Sequence, residues 1–226
     1  MRPVLLDLFC GAGGAATGYH QAGLDVIGVD IEPQPNYPFR FVRGDAFDVL
    51  AGWDLIPRFA AVHASPPCTD HTELAFGKLG RRPEHGTGWM LDATIRHLRR
   101  IGLPYVIENV PRADMPGAYT LCGRSFGIAR LKRHRKFLTS FPMLVPPCAC
   151  SKRVKAIGVY GDLSKNDRSM GRNPDGYRRI RAGVATAREL LGCPWMDAKE
   201  LSQAIPPAYT RFIGEQLIQH LRTVAA

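Results

Sequence analysis

The chain has 226 residues, 45% of them hydrophobic, and a formal net charge of +10, which suits one good-sized globular core with a small appendage. No apolar run is long enough to cross a membrane, and Asp7 interrupts the first apolar stretch, so neither a membrane span nor a signal-peptide layout is present in it. Six cysteines in a chain of this length do not make a disulfide scaffold, and the expected setting is a reducing one, the cytoplasm or nucleoid.

The first apolar run ends in Asp7-Leu8-Phe9-Cys10 and then in three glycines, Gly11, Gly13 and Gly14. This predicts a buried parallel strand, a tight turn and a helix over 15–22. Glycine at such a turn lets the backbone come close to a ligand. A second strand over 25–30 ends in Asp30, where an acid can hold the ribose hydroxyls of an adenosine-containing ligand. Pro33, Pro35 and Pro38 forbid a regular helix after it. A short strand over 39–42 leads to Gly44-Asp45 and a turn of helix over 46–50. Asp45 suits either an adenine amine or a helix cap.

A fourth strand over 59–64 contains His63 and runs into Ser65-Pro66-Pro67-Cys68, a stiff loop that presents a thiol. A mobile loop is expected from Gly77 to Gly88, then a helix over 89–100 with Arg96, Arg99 and Arg100 at its C-terminal end. The strand over 104–107 delivers Glu108-Asn109-Val110-Pro111, an oriented carboxylate or one satisfied in a turn. A short strand or turn lies within 121–129, followed by Arg133-His134-Arg135-Lys136-Phe137. Between Arg124 and Arg181 there are fifteen Lys/Arg against three acids, which points to a polyanionic partner, most simply nucleic acid. From 140 to 181 prolines, glycines and charge dominate, broken by a strand-like run over 156–160. Helices are predicted over 186–191 and 209–221.

At the carboxyl ends of these strands stand the glycine turn, Asp30, Asp45, Cys68 and Glu108, the edge where open α/β sheets bind ligands. A thiol, a buried acid and an arginine suggest covalent catalysis on an aromatic base. Addition of Cys68 at C6 of a pyrimidine makes C5 nucleophilic, Glu108 holds N3, and Arg135 compensates charge at O2.

The ordered set of motifs resembles the DNA (cytosine-5-)-methyltransferase family, in a compact phage or bacterial form, over nearly the whole chain. Asp7-Leu8-Phe9-Cys10-Gly11-Ala12-Gly13-Gly14 is similar to the family's first motif, which surrounds S-adenosylmethionine, with Phe9 against adenine. Asp30, or its competitor Glu32, matches the ribose-binding acid, and Gly44-Asp45 the adenine-recognising pair. Pro66-Pro67-Cys68 resembles the catalytic motif, Glu108-Asn109-Val110 the motif of the N3-binding acid, and Arg133-x-Arg135 the motif whose second arginine meets the base. Ala204-Ile205-Pro206-Pro207-Ala208-Tyr209 resembles the last motif.

The resemblance implies an α/β Rossmann-like methyltransferase fold with a mostly parallel sheet, helices on both faces, and a small irregular basic subdomain. Residues 1–139 would form the catalytic and cofactor-binding part, 140–183 a small target-recognition region, and 184–226 a segment returning to the catalytic part. The implied cofactor is S-adenosylmethionine. Its binding residues would be Asp7, Phe9, Cys10, Gly11, Gly13, Gly14, Asp30, Glu32, Asp45 and Pro66. The catalytic residues would be Cys68, Glu108, Arg135, Arg133 and Asn109.

The implied substrate is a flipped cytosine in double-stranded DNA, with a free cytidine nucleotide, RNA, or a catalytically silent DNA-binding role as alternatives. The implied setting is a bacterial nucleoid or a phage-infected host cytoplasm.

Three departures stand out. Ser202-Gln203 replaces the usual Gly-Asn, and the catalytic loop reads Thr69-Asp70-His71-Thr72. The recognition interval is also short, which predicts reduced sequence specificity or dependence on a homodimer or helper protein. No metal is expected. Cys148 and Cys150, with Cys122 and His134, could supply four soft ligands for a structural zinc. The latter two lie far off in sequence and the spacing is not that of a standard finger, so unlinked thiols are the simpler reading.

Overall fold

The apolar run that opens the chain forms β1 (Val4–Leu8), and its side chains alternate between two buried layers. Leu5 joins Tyr19 and Tyr209 on one face, whereas Leu6 and Leu8 join Leu50, Leu91 and Ile107 on the other. A strand covered on both faces has no polar side to show, which is why it reads as a continuous apolar run. The computed structural model describes residues 1–52, 58–67, 88–150, 156–172 and 178–224.

Helix α1 (Gly14–Ala22) follows β1 and returns the chain to β2 (Asp25–Asp30), which pairs with β1 in parallel. Then come β3 (Arg40–Arg43), α2 (Ala46–Ala51), β4 (Ala61–Ala64), α3 (Gly88–Ile101) and β5 (Tyr105–Asn109). β6 (Tyr119–Leu121) and β7 (Arg135–Thr139) complete a seven-stranded sheet ordered β3-β2-β1-β4-β5-β7-β6. β7 runs antiparallel to both of its neighbours, and the remaining pairings are parallel. Strand order reverses at β1, between β2 and β4, so the crevice for a ligand opens at the carboxyl ends of these strands.

α1 lies on one face together with the C-terminal helix, while α2 and α3 cover the other. The C-terminal helix docks onto α1 at its glycines. A Cβ at Gly14 would stand 2.5 Å from the Ile205 carbonyl oxygen, and one at Gly18 2.2 Å from that of Pro207. Only glycine permits so close an approach.

Two expectations need correction. Residues 140–183 are not simply irregular. They carry β8 (Ile157–Gly158), β9 (Arg168–Arg172) and β10 (Arg178–Arg181), a second sheet ordered β8-β10-β9. Ile157, Val159, Leu163 and Ala182 share a core with α4 (Val184–Leu191) and α5 (Ala198–Gln203), and that core reaches Ala12 of the glycine turn. In addition, β5 extends through Glu108 and Asn109, because antiparallel pairing with β7 continues to Asn109↔Lys136. The last helix, α6, spans Pro207–Val224. Among the described residues, no helix is long and apolar enough to cross a membrane.

Candidate active site

The turn after β1 is drawn toward β2 by backbone bonds. Cys10 N–H donates to the Val29 carbonyl at 3.1 Å. Gly11 N–H donates to Asp30 Oδ2 and Glu32 N–H to Asp30 Oδ1, each at 3.0 Å. Asp30 thus fixes the turn while each of its oxygens keeps further acceptor capacity. Glu32 contributes its backbone here and its residue is exposed.

The glycines of this turn have different jobs. Gly11 has φ +48°, and a Cβ there would meet nothing within 4 Å, so its surface is open to a ligand. Gly13, at φ +82°, is closed off by Pro38 and the Tyr37 ring, and Gly14 by Ile205. Phe9 takes φ +56°, unusual for a residue with a side chain, and its ring meets Phe47 edge-on at 5.8 Å. Ile31, directly after Asp30, leaves 60% of its surface exposed at the same sheet edge. Asp45 Oδ1 accepts from Phe47 N–H at 2.7 Å and caps α2, so the cap reading holds.

Asp7, one residue before the end of β1, is fully buried. Its Oδ2 meets Tyr37 Oη at 3.5 Å, and Oδ1 has no partner among the described residues. Burial, reinforced by the charge of Asp30, holds its carboxyl well above the usual range. Burial and the same carboxylates push the Cys10 thiol up, which leaves it protonated and inert.

At the ends of β4 and β5 a second group forms. Glu108 of β5 and Arg135 of β7, diagonal to each other because Glu108 lies opposite Phe137, make a 2.8 Å ion pair between Oε1 and Nε. Desolvation raises the Glu108 carboxyl above its ordinary value, and Arg135 and Arg133 oppose that rise. Asn109 Nδ2 donates to the Pro66 carbonyl at 3.1 Å, while its Oδ1 accepts from Val110 N–H at 2.9 Å. It therefore ties the end of β5 to the loop before the thiol, and Pro66 is buried in that tie.

Arg133 turns elsewhere. Its guanidinium donates to the carbonyls of Val159 at 2.5 Å and Ser202 at 2.8 Å, joining the second sheet to the C-terminal segment. Its own carbonyl accepts from the Tyr209 hydroxyl. Arg133 reaches Glu108 through its field, and Arg135 through contact. Cys68, Asp70, His71 and the tract from Gly77 through residue 87 lie outside the described residues.

One network has no counterpart in the sequence reading. His63 is fully buried, with Nδ1 2.9 Å from Tyr19 Oη and Nε2 2.8 Å from Ser65 Oγ. Burial lowers its pKa to about 3, so the ring is neutral. It bridges α1 to the residue before Pro66. The available signal was a lone polar residue inside an apolar strand, which demands a partner.

Neither a protein-family model nor a curated protein matches the sequence. Solved structures do match in fold. A protein described as a DNA modification methyltransferase encoded within a prophage (E. coli) has 13% identity and a TM-score of 0.63. S. pombe Dnmt2 methyltransferase has 13% identity and a TM-score of 0.61. The Entamoeba histolytica methyltransferase EhMeth has 12% identity and a TM-score of 0.61. Each alignment covers 98% of this chain and 99% of the other. At such identity the likeness establishes the fold alone: an α/β Rossmann-like methyltransferase fold, with a mixed, mostly parallel sheet flanked by helices.

Proposed function

We propose that this chain is an S-adenosylmethionine-dependent methyltransferase acting at C5 of cytosine in a nucleic acid. The observation that carries the reading is the buried Glu108–Arg135 pair beside the Asn109–Pro66 tie. Cys68 follows two residues after Pro66 in sequence, and the glycine turn leaves β1, the neighbour of β4 in the same sheet.

The residues at that turn fit the donor. Gly11 is open, Asp30 keeps acceptor capacity for ribose hydroxyls, and exposed Ile31 offers an apolar surface. S-adenosylmethionine supplies an electrophilic methyl group on a sulfonium. Within the proposed site the Cys68 thiolate adds to C6 of the extruded base, and Glu108 holds N3 through a carboxyl that burial keeps prone to protonation. Arg135 offsets charge at O2 and limits the rise of the Glu108 pKa. After C5 is methylated, its proton leaves to water and the thiolate is eliminated.

Duplex DNA is the narrower reading, supported by the fifteen basic residues between Arg124 and Arg181 and by likeness to a protein described as a DNA modification methyltransferase. Phosphate contacts of that kind serve RNA equally. The region 140–183 would supply them, with Arg133 holding it to the segment 184–226.

The test is transfer of labelled methyl to duplex DNA, RNA and cytidine mononucleotide, with Cys68→Ser alongside. Label on C5 of cytosine in a polymer, lost in the variant, supports the reading, and the polymer labelled names the substrate. Label on the mononucleotide alone, or binding without label, overturns it.

A further inference from the structure

Cys122, His134 and the Cys148-Ala149-Cys150 pair come from three separate points in the sequence, yet their four ligand atoms all lie within 4.8 Å of one another. Cys122 ends the β6 region as the residue before a 3-10 turn at Gly123–Phe126, and His134 immediately precedes β7. The antiparallel pairing of β6 with β7 brings these two together. The loop after β7 then carries Cys148-Ala149-Cys150 back over them.

That loop is held independently of any metal. Ser125 Oγ donates to the Pro147 carbonyl at 2.9 Å and accepts from Ala149 N–H at 3.3 Å.

The four ligand atoms cluster about one point, and a small outward shift of two of the three close pairs would seat a central ion. Cys122 Sγ and Cys150 Sγ are 3.1 Å apart, and His134 Nε2 is 3.3 Å from Cys148 Sγ and 3.6 Å from Cys150 Sγ. A tetrahedral zinc with Zn–S of about 2.3 Å and Zn–N of about 2.0 Å places its ligand atoms roughly 3.5–3.8 Å apart. Spacing along the chain favours unlinked thiols, but the β6–β7 pairing closes the distance and all four side chains converge.

We propose that these four residues form a structural zinc site that anchors the second sheet's leading loop to the strand carrying Arg135. Three thiols and one neutral imidazole complete the coordination, which leaves no open position for catalysis. The thiols release their protons on binding. Soft sulfur ligands in a tetrahedral set select zinc over the hard divalent cations. Because His134 stands between Arg133 and Arg135, the ion would fix the backbone from which both arginines leave. Strand β7 and the loop at 147–150 would then move as one piece.

The experiment needs no methyl donor or nucleic acid, so its failure is distinct from failure of the proposed activity. The full chain is purified from zinc-supplemented cells and its metal content measured. The expected result is about one zinc per chain, unchanged in Cys193→Ser and lost in Cys148→Ala, whose residue is exposed and tolerates truncation. His134→Cys should retain zinc through a fourth thiolate, while His134→Ala should lose it. Titrating metal-free protein with cobalt should give the visible bands of tetrahedral thiolate coordination in the wild type. Substoichiometric zinc with no cobalt bands, or a disulfide joining Cys122 to Cys150 in the purified protein, would overturn the site.

Discussion

Glu108 and Arg135 form an ion pair in which both side chains are nearly closed to solvent, 8% and 15% exposed, on adjacent strands of opposite direction. Isolating a carboxylate there would be expensive, and the arginine makes it tolerable. The two residues consequently respond differently to removal.

Arg135→Ala leaves Glu108 buried without its contact partner. Urea unfolding should show a loss of about 3 kcal/mol, the magnitude found when one member of a buried pair is deleted. Methyl transfer should fall by roughly 10²–10³ in kcat.

Glu108→Gln separates stability from activity. The Glu108 carboxyl is raised in the fold, so its favourable contribution is present below the ordinary carboxylate range and fades as pH rises through the raised value. The neutral isostere keeps an acceptor oxygen for Arg135 but withdraws the counter-charge, so the urea midpoint should fall less than in Arg135→Ala and fall least at low pH, while methyl transfer is lost.

His63 makes the opposite pH prediction. Its folded pKa, about 3, lies below the value of about 6.5 for a free histidine. Its contribution is therefore complete above pH 6.5 and lost as pH falls from there toward 3, at up to roughly 1.4 kcal/mol per pH unit. Comparing urea midpoints of wild type and His63→Gln across pH 7 to 4 should show a shallower acid slope in the variant.

Asp30→Ala removes the acceptor that receives Gly11 and Glu32 amides and, in the proposed site, the ribose. Calorimetric titration with S-adenosylhomocysteine should show Kd raised about 10- to 100-fold, the range for hydrogen bonds to a charged group. Gly18→Ala tests the helix contact instead. Its Cβ would stand 2.0 Å from Thr210 Oγ1 and 2.7 Å from Arg211 N, so the urea midpoint should fall by an amount equivalent to about 1–3 kcal/mol.

The sequence is most legible where burial is two-sided. β1 and β2 are apolar runs because both faces are covered, and the glycine turn between them follows from a change in backbone conformation. β7 escaped notice because it begins with Arg135 and Lys136. Those charges are satisfied only in three dimensions, by Glu108 and by the Ala113 carbonyl at 2.8 Å from Lys136 Nζ. β9 and β10 were hidden for a related reason, since arginines occupy positions where an apolar alternation would have marked a strand. α5 did carry a signal, the capping box of Asp197 and Glu200, which passed unread. By sequence alone Gly13 and Gly14 look equivalent to Gly11 as ligand glycines. The structure gives the first two neighbours from the protein itself, which no spacing rule distinguishes.

The central claim concerns a covalent bond between Cys68 and a cytosine ring. A duplex and an RNA oligonucleotide, each containing 5-fluorocytosine, are incubated with the protein and S-adenosylmethionine and then denatured. Fluorine at C5 blocks loss of the proton that permits elimination, so the account predicts a stable protein–nucleic acid adduct that maps to Cys68 and disappears in Cys68→Ser. Methylation of unmodified cytosine that persists at full rate in Cys68→Ser, with no adduct in the wild type, would contradict it.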